Sequence, residues 1–590
     1  MTADDFDWLR VPTDTLVRRL LDRRSAASHW EGRLSSSALA TATAILALEI
    51  AARNGYPESH RLRPMIEAGS GWLLRHQNSD GGWGDTARSR TNISTTAIVW
   101  ATLSTIANDS TSVASVLQRS AAWLHQAAGD TTPAALRAAI LKRYGNDRTF
   151  SVPILTVLAL ADKLGDRRTA WRSIPQLPFE LAALPHHWFQ FLRLPVVSYA
   201  LPALIAIGQV RHHFAPTRNP ATRGLRNRVR RRTHALLHAM QPESGGYLEA
   251  TPLTSFVVMS LAGMGETSSP VVASGIRFLI DSMREDGSWP IDTNLSTWVT
   301  TLSIGALVDA SAFPVQDTPA VRRWLLEQQT KREHPFTHAA PGAWAWTPLS
   351  GGVPDSDDTS GALLALRRLG DPDHETIAAA AAGVRWLLDV QNRDGGIPTF
   401  CRGWGALPFD RSTPEITAHA LQAWSAWWPH LDPPLGRRVK KAAARAIEFL
   451  AGNQRADGSW VPLWFGNEHA PGEDNPTYGT ARVLLGLSSA LMVGESRGEA
   501  CRRAAIKWLL DAQNPSGGWG GDRAVATSIE ETGVVLQALG RFASDPHVAT
   551  SIARGGRWLS EAIASSAGDP AAPIGLYFAR LWYYEEFRGV

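Results

Sequence analysis

Apolar residues recur three and four positions apart along most of the chain, the spacing that gives a helix one oily stripe. The pattern is plain over Ser37 to Ala52 and over Thr417 to Trp428, where Ala and Leu dominate. Glycines fall just past each such stretch and end it. No sustained alternation of β-branched residues calls for a large sheet. The chain therefore reads as helix after helix, divided by glycine turns.

One phrase returns with these helices: an aromatic with Leu, a few residues, a Gln, then Gly-Gly-Trp or Gly-Ser-Trp. It stands as Trp72-Leu73, Gln77, Gly81-Gly82-Trp83, as Phe449-Leu450, Gln454, Gly458-Ser459-Trp460, and as Trp508-Leu509, Gln513, Gly517-Gly518-Trp519. Less complete copies are Gln241 with Gly245-Gly246-Tyr247, Phe278-Leu279 with Met283 and Gly287-Ser288-Trp289, and Trp386-Leu387, Gln391, Gly395-Gly396 with Ile397. Fragments remain at His29-Trp30-Glu31-Gly32, Trp123-Leu124, Trp324-Leu325 and Trp558-Leu559. Each unit is a helix pair whose apolar face needs the next pair to cover it. Such pairs wind into a closed double ring of helices, so the expected fold is all-α, of the α/α-barrel kind. The Gln is expected to bond carbonyl ends of a neighbouring helix and the Trp to clamp repeats together.

With 590 residues the chain exceeds one ordinary core, which suggests two domains or an extended array. A break near Val308 to Pro314 is the expected divide. A 44% hydrophobic composition with 24 Trp excludes a disordered protein, and a net charge of +4 gives no case for nucleic acid. Two cysteines, Cys401 and Cys501, exclude a disulfide framework or a multi-cysteine zinc site and point to a reducing compartment. The acidic N-terminus lacks the apolar centre of a secretory signal. No apolar run reaches the roughly 20 residues of a membrane-spanning helix; the nearest, Leu194 to Gly208, is shorter and carries two prolines. Residues 184–208 are rich in large apolar groups, and Arg211, Arg218, Arg223, Arg226, Arg228 and Arg230 to Arg232 follow closely. That juxtaposition fits either a seat on an anionic membrane face or a buried helix followed by a solvated one.

The chemistry concentrates at Asp355-Ser356-Asp357-Asp358-Thr359, directly after Gly351-Gly352-Val353-Pro354. Acidic and hydroxyl residues after a proline and before an apolar run mark a helix start, where acids are favoured by the macrodipole. That accounts for one or two acids. A third is harder to explain, because crowded carboxylates repel and cannot all ionise in a dry site. Such a cluster holds a proton on a group that a cationic neighbour makes strongly acidic, which protonation of an unactivated alkene requires. Spacing alone leaves capping and acid catalysis level.

Taken together, the acidic stretch, the Gln…Trp phrases, Trp344-Ala345-Trp346 and Glu415-Ile416-Thr417-Ala418-His419 resemble the squalene–hopene cyclase family of class II triterpene cyclases, over nearly the whole chain. The resemblance implies two α/α barrels in a dumbbell: residues 1–24 as an arm on the catalytic barrel, 25–310 as the second barrel with a membrane-facing segment at 184–232, and 311–590 as the catalytic barrel. It implies Asp357 as proton donor, Asp355 and Asp358 as flanking carboxylates, His419 as the histidine bonded to the donor, and Glu415 as the carboxylate orienting that histidine. Aromatic residues expected to line the cavity are Trp298, Trp346, Phe400, Trp464 and Tyr199. The family's Gly-Phe-Pro-Gly segment is absent; Pro573 to Tyr584 stands in its place, so Tyr577 and Phe578 are expected there.

The resemblance further implies a squalene-like, lipid-dissolved substrate cyclised to a hopene-like triterpene. It also implies a monotopic protein on the cytoplasmic face of a membrane, a homodimer, and no metal or organic cofactor. Three alternatives stay open. One is a class II cyclase of prenyl diphosphates, with Arg402 or Arg580 on the diphosphate. Another is a protein prenyltransferase-like barrel needing zinc. The last is a non-catalytic lipid-binding repeat scaffold.

Overall fold

The computed structural model describes residues 10–106, 111–145, 147–488, 496–565, 572–576 and 580–585. The helix Ala38–Arg53 shows how the chain becomes layered. Every residue from Ala38 to Ala51 is buried, so this helix has no solvent face. It packs against the helices Ile93–Ile106 and Thr251–Gly263, and with Arg148–Leu160 and Val196–Phe214 these form an inner ring. Helices with one polar side lie outside it, such as Ser59–Arg75 and Pro270–Asp281, which bury only a stripe. The second half repeats the plan. Its inner helices Ser296–Asp309, Ser356–Arg368, Pro414–Trp427, Pro476–Leu487 and Ile529–Leu539 each touch the next. Four of the outer helices are His374–Val390, Pro433–Gly452, Ser496–Asp511 and Pro546–Ser565. The fold is the expected all-α, α/α-barrel architecture.

The recurring phrase is explained by its hydrogen bonds. The Gln77 Nε2 donates to the carbonyls of Gly81 at 2.7 Å and Val116 at 3.1 Å, one in its own turn and one in the next helix. Gln241, Gln391, Gln454 and Gln513 make the same pair of bonds. The Trp indole reaches back instead: Trp460 Nε1 donates to the Leu450 carbonyl at 2.8 Å and Trp519 Nε1 to that of Leu509 at 2.7 Å. Carbonyls at helix ends would otherwise lack partners. A left-handed glycine makes the turn: Gly395 has φ +92°, and a Cβ there would stand 2.3 Å from the Arg445 carbonyl oxygen. One copy was concealed in the sequence. Gln329 bonds the carbonyls of Gly342 and Ala379, both at 2.8 Å, and Trp344 Nε1 bonds Leu325 at 2.7 Å. The insert 330–341 separates this Gln from its glycine.

Two hydrophobic cores run through the molecule. Residues from Ala38 to Ile291 supply most of the first, and Val299 to Val548 most of the second. The changeover precedes the break expected near residue 310, because the helix Ser296–Asp309 packs entirely with the second core. Leu20 and Trp30 also belong to the second core, and the Trp30 indole bonds the Leu20 carbonyl at 2.7 Å. Strands are few and short. The hairpin Ala572–Leu576 with Leu581–Glu585 is placed by Asp85, whose carboxylate accepts the Trp582 N–H at 2.9 Å.

Segment 184–232 divides into three. The helix Val196–Phe214 is largely buried, and the helix Pro220–Ala239 is a solvated, basic one. The exposed apolar groups concentrate around the short helix His186–Phe191, where Trp188 is 52% and Phe191 87% exposed. Among the described residues no helix is long and apolar enough to cross a membrane.

Candidate active site

The acidic stretch begins the helix Ser356–Arg368, and its carboxylates divide the work. Asp355 is the cap: its Oδ1 accepts the backbone N–H of Asp357 at 2.9 Å and of Asp358 at 2.8 Å. Its own N–H donates to the Trp344 carbonyl at 3.0 Å, and Ser356 donates to Thr399 and Pro398, so the helix start is tied to two repeats. Asp357, freed from capping, reaches the helix Pro414–Trp427. There its Oδ1 meets His419 Nδ1 at 2.6 Å. The Asp357 side chain is mostly buried and keeps 14% of its surface accessible.

Environment separates the three acids. Burial pushes Asp355 up to about 8. Burial and the charges of Asp355 and Asp357 push Asp358 well above the usual carboxylate range. Burial pushes Asp357 the same way, but the His419 imidazole and the Arg482 guanidinium outweigh it and hold its carboxyl below its ordinary value. Oδ2 of Asp355 and Oδ1 of Asp358 are buried without a hydrogen-bond donor, which further disfavours their ionised forms. The cluster thus keeps protons on two members beside a third that is the strongest acid and bonds His419.

Several of the expected aromatic residues pack on one another. Phe400 meets Trp346 edge-on at 6.5 Å and Trp464 at 6.0 Å, and tilts on Tyr199 at 5.3 Å. The Tyr199 hydroxyl donates to the Phe400 carbonyl at 3.2 Å, joining the first half to the second. Trp298 stacks on Phe465 at 6.1 Å, and Phe465 tilts on Tyr478 at 4.6 Å. The N–H groups of Thr297 and Trp298 donate to the Trp346 carbonyl at 3.0 and 3.3 Å, so one backbone oxygen places two cavity tryptophans. Tyr199, Trp346 and Trp464 thus meet around Phe400, and Trp298 is tied to Trp346 through the backbone. Tyr577 and Phe578 lie outside the described residues.

Glu415 departs from expectation. Its Oε1 accepts the backbone N–H of Leu463 at 2.8 Å and of Trp464 at 3.3 Å, and its Oε2 has no donor, so it secures the Trp464 loop and makes no bond to His419. The i, i+4 spacing put both on one helical face; the chain crossing that face was not visible. Arg580 turns to Glu473, with Nε 3.7 Å from Oε2, and away from a cavity role. Arg482 and Tyr478 escaped sequence reading. Their signal is a lone charge in the otherwise apolar helix Pro476–Leu487, one turn beyond a tyrosine, and the guanidinium lies 5.9 Å from the Tyr478 ring centre.

A pocket of about 660 Å³ opens at the surface. Tyr199 and Phe400 stand among its lining, with Arg193, Arg385 and Arg402 and the exposed helix His186–Phe191 at its rim. Among the described residues one group has metal-ligand spacing, His186, Glu333 and His338, at this rim. The two imidazoles stack at 3.5 Å and 12°, so their in-plane lone pairs run parallel instead of converging on an ion.

Two family models match the chain: the squalene–hopene cyclase N-terminal domain over residues 14–153 and the C-terminal domain over residues 295–535. The chain is 28% identical over 480 residues to enfumafungin synthase of Hormonema carpetanum, covering 66% of this chain and 35% of that one. It is 24% identical to the squalene hopane cyclase of Aspergillus fumigatus, over 83% of this chain and 75% of the other. It is 27% identical to a drimenyl diphosphate synthase of Streptomyces showdoensis, over 52% and 51%. The chain thus spans between a third and three quarters of the relatives it matches. In fold it is similar to ent-copalyl diphosphate synthase of Streptomyces platensis, at 18% identity and TM-score 0.57 over 97% of this chain and 96% of that one.

Proposed function

Because the chain belongs to the squalene–hopene cyclase family of class II terpene cyclases, we propose that it protonates the terminal alkene of squalene, or of a similar polyprenoid, and guides the resulting cation through successive ring closures to a hopene-like triterpene. The observation that carries this reading is Asp357 held at 2.6 Å by His419, mostly buried beside two further acids. Asp357 delivers a proton to the less substituted alkene carbon. Asp355 and Asp358 keep protons beside it. Each internal double bond then attacks the cation next to it, and the protein holds the chain folded for these attacks while keeping water away until the end. The faces of Trp298, Trp346, Phe400 and Trp464 stabilise the moving charge, each by about 2 kcal/mol when desolvated.

Substrate arrives from a membrane in this reading. Exposed Trp188, Phe191 and Leu192 are neighbours in sequence of the pocket residues His186, Gln190 and Arg193, and the basic helix Pro220–Ala239 follows, a pairing suited to a monotopic seat on an anionic cytoplasmic leaflet.

A second reading has its own observation. Arg193, Arg385 and Arg402 line the pocket, and its one lining carboxylate, Asp389, is engaged by Arg438 at 2.7 Å. Unopposed guanidinium groups suit a prenyl diphosphate. Purified enzyme incubated with squalene and with geranylgeranyl diphosphate, with products read by mass spectrometry, separates the two. Cyclised squalene supports the first reading; turnover of the diphosphate alone replaces it with the second. Unchanged turnover by Asp357→Asn would end both.

A further inference from the structure

A second acid is bound to one of the expected cavity tryptophans, remote in sequence from the acidic stretch. Asp292 follows the strand Trp289–Pro290, and its Oδ2 accepts the Trp346 indole N–H at 3.1 Å. Its Oδ1 takes the Asn294 N–H at 3.4 Å. Like Asp357, it is part-buried and keeps accessible surface. The rings connect the two acids: Asp357 acts on Tyr478, which meets Phe465, Trp298 and, through a backbone bond, Trp346. The titratable groups near Asp292 are Glu249, whose Oε1 is held by Gly351 and Ser244, and the Tyr583 phenol. Neither supplies a positive charge.

Trp346 needs only an acceptor for its indole, and a neutral amide or carbonyl would serve. A carboxyl placed where a cation travels does something more. We infer that Asp292 is the proton acceptor that ends cyclisation, a role that rests on the cyclase reading above. In that step a C–H bond next to the cationic carbon breaks, its electron pair becomes the new double bond, and the proton passes to an Asp292 carboxylate oxygen. One proton enters from Asp357 and one leaves to Asp292, so product and substrate are isomers. Solvent exchange returns Asp292 and the donor cluster to their starting states. Burial, with Glu249 adding to it, pushes Asp292 up to about 8, so the accepting form grows across the neutral to mildly alkaline range.

The test compares full-length wild type, Asp357→Asn, Asp292→Asn and Asp292→Glu on squalene and geranylgeranyl diphosphate, measuring both substrate consumed and the ratio of proton-loss to water-capture products. Asparagine still accepts the indole N–H but takes no proton. Expected for Asp292→Asn is near-normal consumption with that ratio lowered by about 10²-fold, the low end of what a positioned base contributes. Asp292→Glu should restore it. In wild type the ratio should rise with pH through about 8, and in Asp292→Asn it should stay flat. A wild-type ratio preserved in Asp292→Asn, with Asp357→Asn inactive, overturns this inference and leaves the cyclase reading standing. Undiminished turnover by Asp357→Asn, or none by wild type on either substrate, overturns both.

Discussion

His419 Nδ1 lies 2.6 Å from Asp357 Oδ1, bridging two inner helices whose contact residues are 62 positions apart. The bond joins the one carboxyl held below its ordinary value to the imidazole that helps hold it there, while Asp355 and Asp358 are pushed the other way. Acid strength and proton supply are thereby separated within one turn of helix.

Replacing His419 with Asn should weaken Asp357 as an acid. Without the imidazole its carboxyl rises, so it keeps its proton to higher pH but gives it up less readily. The pH profile of kcat should show a maximum lowered by about 10²-fold and an alkaline limb moved upward.

Asp355→Asn separates capping from proton storage. Asparagine caps a helix about as well as aspartate, so thermal unfolding should change by less than about 0.5 kcal/mol. Near pH 8, where wild-type Asp355 begins to ionise, Asp358 loses the charge that raises it and releases its proton sooner. Turnover should therefore fall more at pH 8 than at pH 6, opposite in direction to the His419 variant.

Glu415 offers a test of position against family expectation. Glu415→Ala removes the acceptor for two buried N–H groups, at Leu463 and Trp464. It should cost about 1–3 kcal/mol in denaturant unfolding and scatter the products, since Trp464 is released. Glu415→Gln keeps the acceptor and should behave as wild type in stability and in the pH profile of the protonation step. A displaced profile in Glu415→Gln would mean that Glu415 acts on His419.

Stability should fall as pH rises from 6.5 to 8. Burial pushes Asp292 and Asp355 up to about 8 and Glu415 and Glu585 up to about 7. The folded chain holds these protons where the unfolded chain has released them, so each step up in pH favours unfolding. Histidines held below their usual value, His334 at about 4 and His419, act in the opposite direction, but only below about 6.5. Melting temperature across that pH range is the measurement, and a rising curve would contradict the protonated state of these acids.

Much of this was legible in the sequence, for a physical reason. Helix spacing, turn glycines and Gln…Trp phrases each specify local bonds, so the α/α layering and five of the six described turns closed by a Gln could be read from neighbours in the chain. The turn at Gln329 could not, because residues 330–341 separate the partners. Asp355, Asp357, Asp358 and His419 were identified through pattern, yet which acid caps and which bonds the histidine depends on helix geometry. Glu415 was placed on the right face and assigned the wrong partner, since the Leu463–Trp464 backbone arrives from a distant repeat. Asp292, Tyr478 and Arg482 carry no motif and gain meaning only from what the fold brings against them.

The insert at 330–341 has a practical consequence. Gln329 keeps both of its bonds across it, Phe336 is buried in the first core, and Thr337, His338 and Pro341 help line the pocket. One loop thus serves two ends, holding the interior through Phe336 and shaping the opening through Thr337, His338 and Pro341, so a graft that retains Phe336 should alter the opening alone.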